Sequence, residues 1–308
     1  MEKEILIFGH KNPDTDSICS AMVKERLNKK NENDSSVAVR LGNINKETQY
    51  VLNYLNLEAP ELKEEVAEGQ KVIMVDHNEF NQSIKGIEKA KILGVVDHHR
   101  IANFETSDPL YYTARPYGCT STILFQDFKG KGIEINREEA ILMASAIISD
   151  TLLLKSPTTT KHDEKALEEL EKIAGIDIKE YGLEMLKAGT DLDDFTAKEL
   201  INLDAKELDK NGIKFVIGQV NTVDIPSVLE RQEELEKAIE EELKEKELAL
   251  FVLAITDILN SNSEILVLGE KSSVVEKAFD KKLENNRAFL EGVVSRKKQL
   301  LPNIDKNI

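Results

Sequence analysis

Carboxylates and imidazoles gather in four short segments of this chain. The first is Gly9-His10-Lys11-Asn12-Pro13-Asp14-Thr15-Asp16-Ser17, the second Val75-Asp76-His77, the third Asp97-His98-His99 and the fourth Ser149-Asp150-Thr151. Asp14 and Asp16 are two apart behind an Asn-Pro pair, so a turn and not a strand must aim both at one point. Gly9 permits close backbone approach just ahead of them. Four of the five histidines lie within four residues of an Asp at an expected strand end. Singly, each Asp would serve as a helix cap and each His as a core or surface filler. Together they make the mixture of nitrogen and oxygen donors that suits borderline divalent ions such as Mn2+, Co2+, Fe2+ or Zn2+. Two carboxylates bridging a pair of ions, with one imidazole capping each, would form a dinuclear centre that holds a hydroxide at neutral pH.

The elements that must position these groups follow from hydrophobic periodicity. Short β-rich runs alternate with amphipathic stretches over Glu4–Gly9, Ser17–Asn31, Val37–Gly42, Lys46–Leu55, Lys71–Asp76, Gly86–Lys89 and Ile92–Asp97. That order predicts β-α-β units and a doubly wound, mainly parallel sheet in an α/β fold. The polar segments then sit at the carboxyl edge of the sheet, where open α/β sheets bind ligands. Helices are expected over Arg137–Ser149, Lys161–Ala174 and Ile178–Lys187. The pattern breaks around Ala188-Gly189-Thr190-Asp191, which predicts a domain over 1–188, a hinge linker over 189–194 and a smaller α/β domain over 195–308. In the latter, strands are expected at Ile213–Val220, Ala249–Asp257 and Glu264–Leu268, with one long charged helix over Pro226–Glu247. Leu235, Ile239 and Leu243 are spaced by four, so that helix reads as solvated and amphipathic.

Composition bounds the class. The 308 residues exceed the size of one comfortable core and point to two domains. At 41% apolar and 32% charged the chain is an ordinary globular one. Its 41 basic against 57 acidic residues give a net charge of −16, which repels polyanions and leaves a small metal-held anion as the better ligand than nucleic acid. No apolar run approaches the ~20 residues of a membrane span. Met1-Glu2-Lys3-Glu4 leads straight into a strand without signal-peptide features, so a cytoplasmic location is expected. Cys19 and Cys119 then read as buried reduced thiols. Neither G-x-G-x-x-G nor G-x-x-x-x-G-K-[ST] follows a strand, which argues against a nucleotide-binding enzyme of those types.

Asp97-His98-His99 with the upstream His10-x-Asn12-Pro13-Asp14-x-Asp16 resembles the DHH phosphoesterases, and Ser295-Arg296-Lys297-Lys298-Gln299 resembles the signature of the family II pyrophosphatases. The likeness runs from Ile5 to Leu300. It implies one metal on His10, Asp14, Asp76 and Asp150 and another on Asp16, Asp76, His98 and Asp150, with Asp76 and Asp150 as bridges. It further implies two Mn2+ per subunit, with Co2+ as a substitute, an additional Mg2+ arriving with the substrate, pyrophosphate as that substrate, and a homodimer joined through the N-terminal sheet. His99 would face the substrate, joined by Lys206, Ser295, Arg296 and Lys297 of a DHHA2-like second domain across an interdomain cleft. His77 reads as a structural neighbour of the site and His162 as a solvated surface residue.

Without the resemblance, Lys206 reads as a surface lysine and Arg296-Lys297-Lys298 equally as a basic tail or a phosphate grip; Gly292-Val293-Val294-Ser295 reads as strand and turn, which favours the grip. Two relatives' activities compete with pyrophosphate hydrolysis: cleavage of short oligonucleotides or cyclic dinucleotides, and trimming of polyphosphate. The Gly-Gly-rich, His-containing motif of the first kind is absent from the second domain. A metal-binding module without activity would not need the full set of motif residues present here.

Overall fold

The computed structural model describes residues 4–32 and 35–308, which divide into two compact units, Met1–Gly189 and Thr190–Ile308. Met1, Glu2 and Lys3, read above for an export signal, lie outside the described residues.

The first unit is a six-stranded sheet in the order β3-β2-β1-β4-β5-β6, formed by Ile5–Phe8 (β1), Ser36–Arg40 (β2), Glu61–Leu62 (β3), Lys71–Val75 (β4), Lys91–Asp97 (β5) and Tyr111–Ala114 (β6). Every pairing in it is parallel. The central strands are buried on both faces, as their continuous apolar runs require. From β1 the chain winds outward to β2 and β3, then returns to start β4 on the other side of β1. Polar residues following β1 and β4 therefore meet at the switch point of the sheet, where a crevice opens at the strands' carboxyl ends.

Six α-helices among the described residues accompany this sheet: α1 (Thr15–Glu32), α2 (Lys46–Leu55), α3 (Thr120–Lys131), α4 (Arg137–Thr151), α5 (Lys161–Ala174) and α6 (Ile178–Gly189). Helix α4 is buried on nearly every face, from Glu139 to Ile148, and begins with a capping box in which Asn136 and Glu139 exchange hydrogen bonds. It ends abruptly. Leu152, Leu153 and Leu154 follow it with φ of 47°, 54° and 64°, three successive side-chain-bearing residues in the left-handed region. Such backbone costs about 1–2 kcal/mol per residue.

The second unit is a five-stranded mixed sheet ordered β11-β10-β9-β8-β7, from Ala205–Lys210 (β7), Ile213–Thr222 (β8), Leu250–Asp257 (β9), Asn262–Leu268 (β10) and Arg287–Glu291 (β11). Only β8 and β9 run parallel. Residues alternate between two cores. Val216, Phe251, Leu253 and Ile255 face α7 (Ala197–Asn202) and α9 (Gln232–Glu245), whereas Phe215, Ile217, Val252 and Ala254 join Val275 of α10 (Ser272–Phe279) and Ile304 of α11 (Leu301–Asp305).

The single helix expected over Pro226–Glu247 is two, α8 (Ile225–Leu229) and α9. The break at Glu230-Arg231 lets the Arg231 guanidinium donate to the Leu192 and Phe195 carbonyls, a tertiary contact that periodicity does not register. No helix among the described residues is long and apolar enough to cross a membrane. Cys19 and Cys119 are buried and unpaired.

Candidate metal centre

The loop after β1 carries the first donors. Asp14 caps α1, its Oδ1 accepting the Ser17 N–H at 2.9 Å, which leaves Oδ2 for His10 Nε2 at 3.4 Å. One carboxylate thus caps the helix and still turns its other oxygen to His10. Gly9 is needed here because a Cβ would meet the Ser17 side chain at 2.5 Å. Asp16, in the first turn of α1, is fully buried and accepts from Ser20 Oγ and from the Thr120 and Ser121 N–H groups at the start of α3.

Asp76 directly follows β4 in the left-handed region with φ 59° and is only 1% exposed. Ser17 Oγ and Thr120 Oγ1 donate to its two oxygens at 2.9 and 3.1 Å. The same oxygens face the two imidazoles: His10 Nε2 lies 3.5 Å from Oδ2 and His98 Nε2 lies 3.3 Å from Oδ1. Asp150, on the last turn of α4, stands 3.5 Å from His98 Nε2.

Two groups result that place ligand atoms within 4.8 Å of one another: His10, Asp14 and Asp76, and Asp16, Asp76, His98 and Asp150. The second holds all four residues that the family resemblance assigns to one metal. The first holds three of its four, Asp150 being grouped only with the second set. A third cluster, Asp76, His98 and His99, overlaps them. There the His99 Nδ1 is taken by Asp97 Oδ1 at 3.0 Å, so His98 offers the freer nitrogen.

The donors fit borderline divalent ions by a further observation. His10 Nδ1 donates to the Lys11 carbonyl at 2.7 Å and His98 Nδ1 to the Tyr117 carbonyl at 3.0 Å. Such bonds fix the ring and turn Nε2 toward a metal. His98 Nε2 is buried and makes no aligned hydrogen bond, which leaves it available to an ion.

Electrostatics agree. Burial and the neighbouring Asp16 charge push the Asp76 carboxyl up to about 7, and burial with Asp16 and Asp76 pushes Asp150 well above the usual range. Burial opposes charging His10 and His98, but Asp14 and Asp76 beside the one, and Asp76 and Asp16 beside the other, outweigh it and raise each to about 9. Carboxylates crowded so closely require cations.

Beside the ligands, His77 is buried with Nδ1 bonded to the Val75 carbonyl, and burial lowers it to about 4. His162 is exposed and stacks on Tyr117 at 4.4 Å. Sequence reasoning passed over the residues that position the site. Asp97 accepts from both the backbone N–H and Nδ1 of His99, and Asn78 ties Asp97 to the Arg100 carbonyl and the Ala102 N–H. Asp97 and Asn78 belong to the same short motifs as their neighbours. That adjacency was the available signal.

In the second unit, Lys206 is exposed on the edge strand β7, opposite Ile217. The basic segment is a π-helical turn, Arg296–Leu300; in its flank, expected as strand and turn, Gly292 turns directly after β11 while Val293, Val294 and Ser295 have no regular structure. Ser295 caps it, accepting the Lys298 N–H, while Gln299 Oε1 accepts the Val294 and Ser295 N–H groups and its Nε2 donates to the Gly292 carbonyl. Gln219 of β8 accepts the Arg296 N–H. The Arg296 guanidinium pairs with Asp204 at 2.8 Å, and Lys297 is exposed.

Residues 4–147 match the DHH family, N-terminal domain, and residues 183–307 match the DHHA2 domain. The chain is 58% identical over 298 residues to the "Probable manganese-dependent inorganic pyrophosphatase" of Staphylococcus carnosus, covering 97% of each. It is 56% identical over 303 residues to the "Manganese-dependent inorganic pyrophosphatase" of Bacillus subtilis, covering 98% of this chain and 97% of the relative. A solved Methanococcus jannaschii structure, described as a candidate family II inorganic pyrophosphatase, matches at 42% identity and a TM-score of 0.61 over 98% of this chain and 99% of that one.

Proposed function

We propose a reaction from one established premise, that the chain belongs to the manganese-dependent, family II inorganic pyrophosphatase family with its DHH and DHHA2 domains. The reaction is hydrolysis of pyrophosphate to two orthophosphates. The observation that carries it is the sharing of Asp76 between two ligand groups, each with its own imidazole. His10, Asp14 and Asp76 would hold one Mn2+ and Asp16, Asp76, His98 and Asp150 the other, with Co2+ fitting the same donors. Bound there, the pair would supply an acidified attacking water and offset phosphate charge, with a further Mg2+ arriving on the substrate.

The chain's own groups do the rest. His99, its Nδ1 held by Asp97, presents its other nitrogen as a donor to a phosphate oxygen. Lys206, Ser295, Arg296 and Lys297 supply donors and positive charge to the leaving phosphate, Arg296 exchanging Asp204 for phosphate oxygens. The enzyme acts in the cytosol as a homodimer joined through the N-terminal sheet. The free edge strand β6, where Tyr111 is 88% exposed, supports that face.

Phosphate release from pyrophosphate, tripolyphosphate and a linear dinucleotide, each with Mn2+ plus Mg2+, tests the assignment. Pyrophosphate is expected to turn over fastest. Faster turnover of the dinucleotide or of the longer polyphosphate would move the activity to one of the other relatives' reactions.

A further inference from the structure

Asp16 and Asp150 must lie side by side in the metal-free chain although ionising both is costly. Asp14, Asp16 and Asp76 are each strapped by hydroxyls or N–H groups of Ser17, Ser20, Thr120 and Ser121. Asp150 is different: no serine, threonine or backbone N–H among the described residues donates to it. Its position depends on how the end of α4 is held.

One oxygen outside the ligand set holds that end. Glu47 Oε1, in the first turn of α2, accepts from Ser149 Oγ at 2.5 Å and from Thr15 Oγ1 at 2.6 Å. Ser149 directly precedes Asp150, and Thr15 sits between Asp14 and Asp16. Thr48 Oγ1 touches Thr15 Oγ1 at 3.1 Å, and Asn45 caps α2 through the Thr48 N–H, so the acceptor rests on a fixed helix start. No lysine or arginine among the described residues pairs with Glu47, so charge pairing does not explain a carboxylate here. The site is also cut to its shape, because a Cβ on Gly189 would meet Glu47 Cβ at 2.9 Å.

We infer that Glu47 is a positioning residue for the metal centre, joining the Asp14–Asp16 turn to the Asp150 end of α4 so that Asp150 stands ready beside Asp16. This rests on the metal-centre reading given above. It concerns preorganisation of one ion's ligands and not contact with substrate.

Mn2+ titration of the full chain, by calorimetry or electron paramagnetic resonance, tests it beside the thermal midpoint of the metal-free protein. Wild type is expected to take up two Mn2+; failure to do so removes the metal-centre reading itself. Given two, Glu47→Ala is expected to weaken one binding step about 10–100-fold, as loss of a ligand's supporting contact does. Glu47→Gln keeps the accepting oxygen and is expected to restore affinity. Ser149→Ala should reproduce the loss and add nothing in the Glu47→Ala background, and it decides the matter if Glu47→Ala does not fold. Wild-type affinities in both single variants, additive losses in the double variant, or a lowered metal-free midpoint with unchanged affinity would each overturn the inference.

Discussion

His98 holds its Nε2 3.3 Å from Oδ1 of Asp76, the oxygen opposite the one that His10 approaches. One carboxylate therefore belongs to two ligand groups, and both should fail together when it is changed.

Asp76→Asn tests that sharing with little disturbance of the backbone, because asparagine tolerates the left-handed φ of 59° found there. Both Mn2+ affinities are expected to fall by more than about 100-fold, beyond the loss usual for a contact outside the ligand set. Titration calorimetry with phosphate release measures it. Retention of one tight site would show that Asp76 serves a single ion.

Asp97→Ala should separate catalysis from metal loading. Its Oδ1 fixes His99, while neither principal ligand group contains it. Two Mn2+ should still bind, and kcat/KM is expected to fall about 10–100-fold.

Arg296→Ala removes a guanidinium without touching any ligand in the first unit. Mn2+ uptake is expected to stay at the wild-type level and turnover to drop about 100–1,000-fold, the usual cost of one charge-stabilising donor. A fully active variant would end the second unit's part in the proposal.

Protons and metal compete for the two imidazoles. His10 and His98 are raised to about 9 in the metal-free protein, so near neutral pH both carry a proton that Mn2+ must displace. Apparent affinity should rise with pH and level off above about 9. Proton release into a weakly buffered solution during titration measures it directly.

Metal-free stability should run the other way. The Asp76 carboxyl is raised from 3.8 to about 7, so its contribution is fully present in acid and is lost as pH rises through about 7. His10 and His98, raised from 6.5 to about 9, lose theirs between those values. The gap in thermal midpoint between chelated wild type and Asp76→Asn should shift against wild type by several degrees across this range, and Mn2+ should reverse the shift.

The parts of this fold legible in the sequence are those whose signal is local. Short apolar runs ending in Gly9, Asp76 and Asp97 mark parallel strands because such strands are buried on both faces. The candidate ligands are legible because their residue types are themselves the chemistry. By contrast, β7 reads Ala-Lys-Glu-Leu-Asp-Lys and carries no strand pattern; pairing with β8 alone makes it a strand. The break at Arg231 and the reach of Glu47 to Ser149, 102 residues away, are tertiary facts. Spacing along a chain does not encode them.

The leucine run behind Asp150 limits how this protein can be hardened. Glycine or asparagine at Leu152, Leu153 or Leu154 would relieve backbone that ordinary side chains resist. An engineer ranking substitutions by thermal tolerance would therefore choose this stretch early. The same stretch fixes where α4 stops, so the gain in toughness would come with a less fixed Asp150 at the end of that helix.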